Sequence, residues 1–145
     1  MQVVGYDIVA CKTPDYITVV SSIEDVFRDS YCVSLHVPKT KETERVVNYE
    51  RLSLMNQNGI LVNTARAELI NYGDLESAMQ ERGLKYGADV HPEGDKAGVK
   101  GLAMFDGQVV LIPHLGAQTE ESNTRSLLQA AHQVARYLKF NEIIN

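Results

Sequence analysis

Gly59-Ile60-Leu61-Val62-Asn63-Thr64-Ala65-Arg66 is a short apolar run that stops abruptly at polar residues and a cation. An apolar run this brief, with glycine before it, reads as a strand rather than a buried helix. Its continuity, with no polar alternation, is that of a parallel strand covered on both faces. Val109-Val110-Leu111-Ile112 has the same character. Outward from these two, β-rich runs recur at 2–6, 17–20, 31–37 and 86–90, and helical patterns lie between most of them. This alternation predicts βαβ units and a parallel sheet.

The helices announce their ends. Ser21-Ser22-Ile23-Glu24 has the spacing of a capping box, with Glu24 three residues after Ser21. Asn48 and Asn71 stand where caps are expected, and Gly59 and Gly83 where helical patterns stop. Thr119 opens the longest pattern. Glu120 and Glu121 fall in its first turn, where the helix dipole favours negative charge. Leu127, Ala131, Val134 and Leu138 form its apolar stripe. The stretch 91–108 is rich in glycine and charge and reads as a loop.

At 145 residues the chain fits one compact unit, and a hydrophobic fraction of 44% suffices for a core. The net charge of -5 argues against a nucleic-acid partner, which would need clustered Lys and Arg. No apolar run is long enough to span a bilayer, and the first residues lack the features of a signal peptide. Cys11 and Cys32 make no disulfide framework, so reduced thiols and a cytoplasmic location are expected.

Ligands of open parallel sheets bind beyond the carboxyl ends of the strands. Four such ends here carry unusual residues. Asp7 closes Val3-Val4-Gly5-Tyr6-Asp7, where an acidic side chain can accept from adenosine ribose hydroxyls and repel a 2′-phosphate. It could equally be a turn former. His36 and Pro38 follow a third strand and could wall an adenine pocket; His36 could equally be a strand-end residue bonded to nearby backbone. Arg66 offers a planar fork of donors suited to a carboxylate, against the alternative of a surface arginine. His114, in Pro113-His114-Leu115-Gly116-Ala117, can give or take a proton near neutrality, although a lone histidine is more often structural.

Together these blocks resemble the D-isomer-specific 2-hydroxyacid dehydrogenases, including the D-3-phosphoglycerate dehydrogenase branch, over nearly the whole chain. The specific pieces are Ser34-Leu35-His36-Val37-Pro38, Ile60 to Arg66, Ala88-Asp89-Val90 and Pro113 to Ala117. The resemblance implies NAD as cofactor and a small 2-hydroxy or 2-keto acid as substrate, with 3-phosphoglycerate the first choice. It implies Arg66 and His114 as catalytic groups, and Asp7 on the adenosine ribose. Asp89, Thr64, Ala65 and Ala117 would line the nicotinamide end. The family's catalytic glutamate falls at Gly94 by direct counting from Asp89. Glu93, one residue short, is assigned to the role, and Asp95 is one residue beyond. His91 stands where the family usually has an aromatic residue, and Ala67 where it usually has glycine.

The resemblance implies an α/β fold, a partial doubly wound Rossmann-type sheet without its first strand, glycine-rich loop and first helix. Residues 1–118 would form the NAD-binding part, and 119–145 a helix leading towards a substrate domain. In the doubly wound order the first strand lies between the second and the fourth. Two open edges are therefore expected, and open edges invite pairing with another chain. The chain is expected to be a homo-oligomer, inactive or nearly so by itself. A non-catalytic half-domain that self-associates or binds a partner stands as the alternative. No metal site is expected.

Overall fold

The computed structural model describes residues 1–10, 12–92 and 101–140. It is an α/β structure in which every strand pairing is parallel. Strands β1 (Val3–Gly5) and β2 (Ile17–Val19) form one small sheet. Strands β3 (Cys32–Leu35), β4 (Ile60–Asn63), β5 (Lys85–Ala88) and β6 (Val109–Leu111) form a second, in that spatial order. Helices α1 (Ile23–Phe27), α2 (Tyr49–Leu52) and α3 (Tyr72–Arg82) lie between strands in the sequence, as crossovers of a parallel sheet require. Among the described residues β1 pairs only with β2, and β3 only with β4. The observed strands are shorter than the apolar runs that signalled them. Tyr31, His36 and Val37 fall outside β3, and Asp89 and Val90 outside β5.

Register explains the core. Val33 faces Leu61, which faces Tyr86; Leu35 faces Asn63, which faces Ala88. These residues share one face of the sheet and are buried in one cluster with Phe27, Leu52, Met55, Leu75, Ala78 and Met79 from the helical side. Alternate residues point the other way. Cys32 and Ser34 are exposed, Ile60 and Val62 half-buried, and Val110 is 67% exposed. The expectation of strands buried on both faces is therefore corrected. That second face of β4 and β6 is only partly covered within this unit.

The caps are largely as the sequence suggests, with two corrections. Ser22, not Ser21, caps α1, accepting from the Asp25 N–H at 3.2 Å. Glu24 is thereby released to bind Arg51 of α2, at 3.0 Å from Nε and 2.8 Å from Nη2. Asn48 caps α2 through the Arg51 N–H. Asn71 precedes α3 in extended conformation but makes no side-chain cap bond. Gly83 ends α3 at φ 67, a conformation that glycine adopts without strain. The later part of the expected 91–108 loop is packed: Leu102 is buried in the core and Phe105 lies against it.

The chain divides into two compact units, Met1–Pro113 and His114–Asn145. The second contains α4 (Glu120–Phe140), which Thr119 opens by accepting from the Ser122 N–H at 3.1 Å. Its stripe is exposed: Leu127, Val134 and Leu138 are 59% to 78% accessible.

Candidate active site

The candidate residues of the first unit sit at the carboxyl ends of its strands. Past β4 the chain enters Thr64, Ala65 and Arg66, with Thr64 and Arg66 exposed and Ala65 half-buried. Asn63, the last residue of β4, is fully buried. Its Nδ2 donates to the Arg66 carbonyl at 2.8 Å and its Oδ1 accepts from the Ala65 N–H at 3.0 Å. The Arg66 backbone is thus held over the sheet while its guanidinium faces solvent. Nη1 donates to the Ala65 carbonyl at 2.6 Å.

A recess of about 200 Å³ opens beside this turn, lined by Val62, Thr64, Gly87, Asp89, Val110 and Ile112, with Ala88. It has apolar walls, one hydroxyl and one carboxylate. Asp89 is buried, and its N–H donates to the Asn63 carbonyl at 3.1 Å, extending the β4–β5 ladder. A Cβ built on Gly87 meets nothing within 4 Å, so the glycine leaves free space in the recess. A flat, largely apolar ring bearing a polar amide suits such a wall, and the residues present fit the nicotinamide end of a dinucleotide.

The other strand ends are simpler. Asp7, past β1, is exposed and its Oδ1 accepts from the Val9 N–H at 2.9 Å. That bond is the turn-forming role. The residue lies just past the carboxyl end of β1. His36 is exposed, with Nε2 2.9 Å from the Ser34 hydroxyl. The Pro38 carbonyl accepts from the Thr43 hydroxyl at 2.7 Å. Next to it, Lys39 reaches Glu68 at 3.1 Å, tying the exit of β3 to the turn that carries Arg66. A backbone hydrogen bond and the Lys39 ammonium hold the Glu68 carboxyl below its usual range.

His114 and Ala117 belong to the second unit and both are exposed. His114 has φ 54, in the left-handed region that non-glycine residues seldom occupy. Strain of this kind is of order 1–3 kcal/mol and is concentrated at functional sites. Glu93 lies outside the described residues. A wide depression along α4 has all its walls on one helix, including Glu121, Arg125 and Leu128, and is an open surface rather than a cavity. Among the described residues there is no cluster of metal-ligating side chains and no helix long and apolar enough to cross a membrane.

Sequence reading singled out Thr64, Ala65, Arg66 and Asp89 but passed over Asn63 and Tyr86. The signal for Asn63 is its parity with Leu61: a polar residue two along from a core leucine in a strand shares the buried face. Tyr86 gives no comparable sign, because a tyrosine in a strand is ordinary core composition.

A parallel α/β unit with a recess at its strand ends, lined by a threonine and a buried aspartate, has the architecture of a dinucleotide-binding domain. The chain belongs to the D-isomer specific 2-hydroxyacid dehydrogenase family, matching its NAD binding domain over residues 1–116. It is 34% identical over 117 residues to a glyoxylate reductase of Aeropyrum pernix, covering 80% of this chain and 35% of that protein. It is 30% identical over 143 residues to a D-3-phosphoglycerate dehydrogenase of Methanocaldococcus jannaschii, covering 96% and 27%. The crystal structure of D-lactate dehydrogenase from Aquifex aeolicus, complexed with NAD and lactic acid, superposes with a TM-score of 0.78 at 28% identity, covering 96% of this chain and 46% of that one. The chain thus spans less than half the length of these relatives.

Proposed function

We propose that this chain supplies the cofactor-side residues of an NAD-dependent oxidoreductase that interconverts a D-2-hydroxy acid and its 2-keto acid. The observation that carries the proposal is the Asn63-braced turn. It fixes the Arg66 backbone two residues after Thr64, which lines a recess whose apolar walls and Asp89 suit a nicotinamide. NAD, when bound, supplies or accepts the hydride. Arg66 binds the substrate carboxylate through paired N–H donors and polarises the oxygen on C2. His114 gives a proton to that oxygen in reduction and removes it in oxidation. Thr64, Ala65, Asp89 and Ala117 would hold the nicotinamide end; Asp7, His36 and Pro38 would meet the adenosine. Glu93 is the choice for the carboxylate that hydrogen-bonds His114. Among substrates, a glyoxylate reductase and a D-3-phosphoglycerate dehydrogenase are both among the relatives, so glyoxylate, hydroxypyruvate and 3-phosphohydroxypyruvate (the 2-keto partner of 3-phosphoglycerate) form the test panel.

The activity is proposed for the complete catalytic unit to which these residues contribute. Steady-state NADH oxidation with each 2-keto acid tests it. Arg66→Ala should raise KM for the acid and lower kcat, and Arg66→Lys should restore only part, because an ammonium cannot form the planar fork. Unchanged kinetics in Arg66→Ala would reject the assignment.

The open edges at β1 and β3 favour a second reading, in which the chain self-associates through strand pairing. Sedimentation velocity should then show dimers or larger species. A stable monomer with both edges solvated would remove that reading.

A further inference from the structure

We propose that Asn63 is the positioning residue for Arg66, backed by a buried tyrosine pair. The proposal rests on the catalytic reading of Arg66 given above. Among the described residues, Asn63 is the one carboxamide among the largest fully buried side chains. A buried carboxamide carries two donors and an acceptor, and leaving them unpaired costs more than their pairing gains. Asn63 spends its groups on the turn it precedes, holding the Ala65 N–H and the Arg66 carbonyl at once. These two bonds close the chain into a compact turn. Leu61 and Ala88 hold the same strand position from behind, in the core and in the ladder.

Close to the carboxamide, on the neighbouring strand, lies Tyr86, 2% exposed. Tyr72 of α3 completes the row. Its hydroxyl is 3.5 Å from that of Tyr86, and the rings meet edge to face at 6.4 Å. Tyr72 and Tyr86 thus join α3 to β5 and set a row of polar groups beside Asn63 inside an otherwise apolar core. Such a row allows few arrangements, because each alternative leaves a buried group unpaired. The row ends on the backbone of Arg66. Asn63 is fully buried and is not among the residues that line the recess. It acts by fixing the origin of the Arg66 side chain, so that the guanidinium searches a small volume past the end of β4.

Hydrogen exchange and nitrogen relaxation by NMR on the full 145-residue chain test this directly. Asn63→Leu keeps the branched shape of the side chain, with methyl groups in place of the amide oxygen and nitrogen, and removes both turn bonds. The Ala65 amide should exchange about tenfold faster and Arg66 Nε should become more mobile, while the Leu61 and Leu75 amides keep their protection. Tyr86→Phe removes only the hydroxyl behind the carboxamide. It should accelerate Ala65 about twofold to threefold, and it carries the test alone if Asn63→Leu does not fold. Unchanged Ala65 exchange in the folded variants would overturn the proposal. So would equal acceleration at Ala65, Leu61 and Leu75, which is the mark of a merely structural residue. Arg66→Ala should leave Ala65 protection intact. If Arg66→Ala also leaves 2-keto acid reduction unchanged, the catalytic reading fails, and the exchange result still decides whether Asn63 positions the turn.

Discussion

The segments after β4 and after β6 carry the two residues assigned to the reaction, and they are held in opposite ways. Arg66 follows a buried asparagine whose carboxamide binds the turn twice. His114 is exposed, sits at positive φ, and receives a 3.5 Å contact from Gln118 at its carbonyl. The helices nearby repeat the contrast. In α3, Leu75, Ala78 and Met79 are buried, whereas the apolar stripe of α4 is accessible along its length. An amphipathic pattern establishes that a helix has an apolar face; it does not say what covers that face. A polar residue at a buried strand position, by contrast, must find its partners locally, so Asn63 fixes its surroundings in a way that the pattern of α4 cannot.

The comparison can be broken first at the chemistry. His114→Ala should lower kcat for 2-keto acid reduction by about 10²–10⁴-fold, the usual share of a positioned acid–base group. It should leave the melting temperature unchanged or raise it, since the exposed side chain contributes no packing. A large loss of stability would show that His114 is structural. Next comes packing. Leu61→Ala should cost about 2–5 kcal/mol in denaturant unfolding, as core leucines do. Leu128→Ala, on the accessible side of α4, should stay within about 0.5 kcal/mol. A comparable cost for Leu128 would mean that its face is covered in solution.

Two smaller effects follow from titration. Burial pushes the Tyr86 hydroxyl well above the ordinary tyrosine range. Its ionisation is then easier in the unfolded chain than in the folded one. Its neutral-form contribution is complete below about pH 10 and declines as pH rises past that point. Tyr86→Phe should therefore flatten the alkaline arm of the stability curve. An unaltered arm would show that Tyr86 is not sealed from solvent. At the acid end, the hydrogen bonds from Arg51 lower the Glu24 pKa. A depressed carboxylate stabilises the fold above its unfolded pKa and loses that contribution as pH falls through the folded one. Glu24→Gln should be slightly less stable than wild type near neutrality and equal to it in strong acid. The effect is small because Glu24 is largely solvated.

Much of this was legible in the residues themselves. Parallel strands follow from Ile60-Leu61-Val62 and Val109-Val110-Leu111, and the helix ends from Asn48, Gly83 and Thr119. Two-sided burial did not follow, because apolar composition is the same whether a face is covered or open. The cap of α1 moved by one residue because Glu24 has a stronger partner in Arg51, 27 positions away. Local spacing cannot register that contact. Within the site, Arg66 and Asp89 stood out as polar groups after apolar strands, whereas the Asn63–Tyr86 row depends on strand register, which the sequence does not state.

The most direct test is a fluorescence titration of NADH into this chain and its Gly87→Leu variant, using emission from the cofactor because the chain has no tryptophan. The added side chain enters open space at Gly87, so the fold should survive while the recess fills. Saturable binding by the wild-type chain, weakened about tenfold or more in Gly87→Leu at unchanged melting temperature, is the predicted result. No saturation at millimolar NADH, or equal affinity in both proteins, would contradict the claim that these strand ends hold the cofactor.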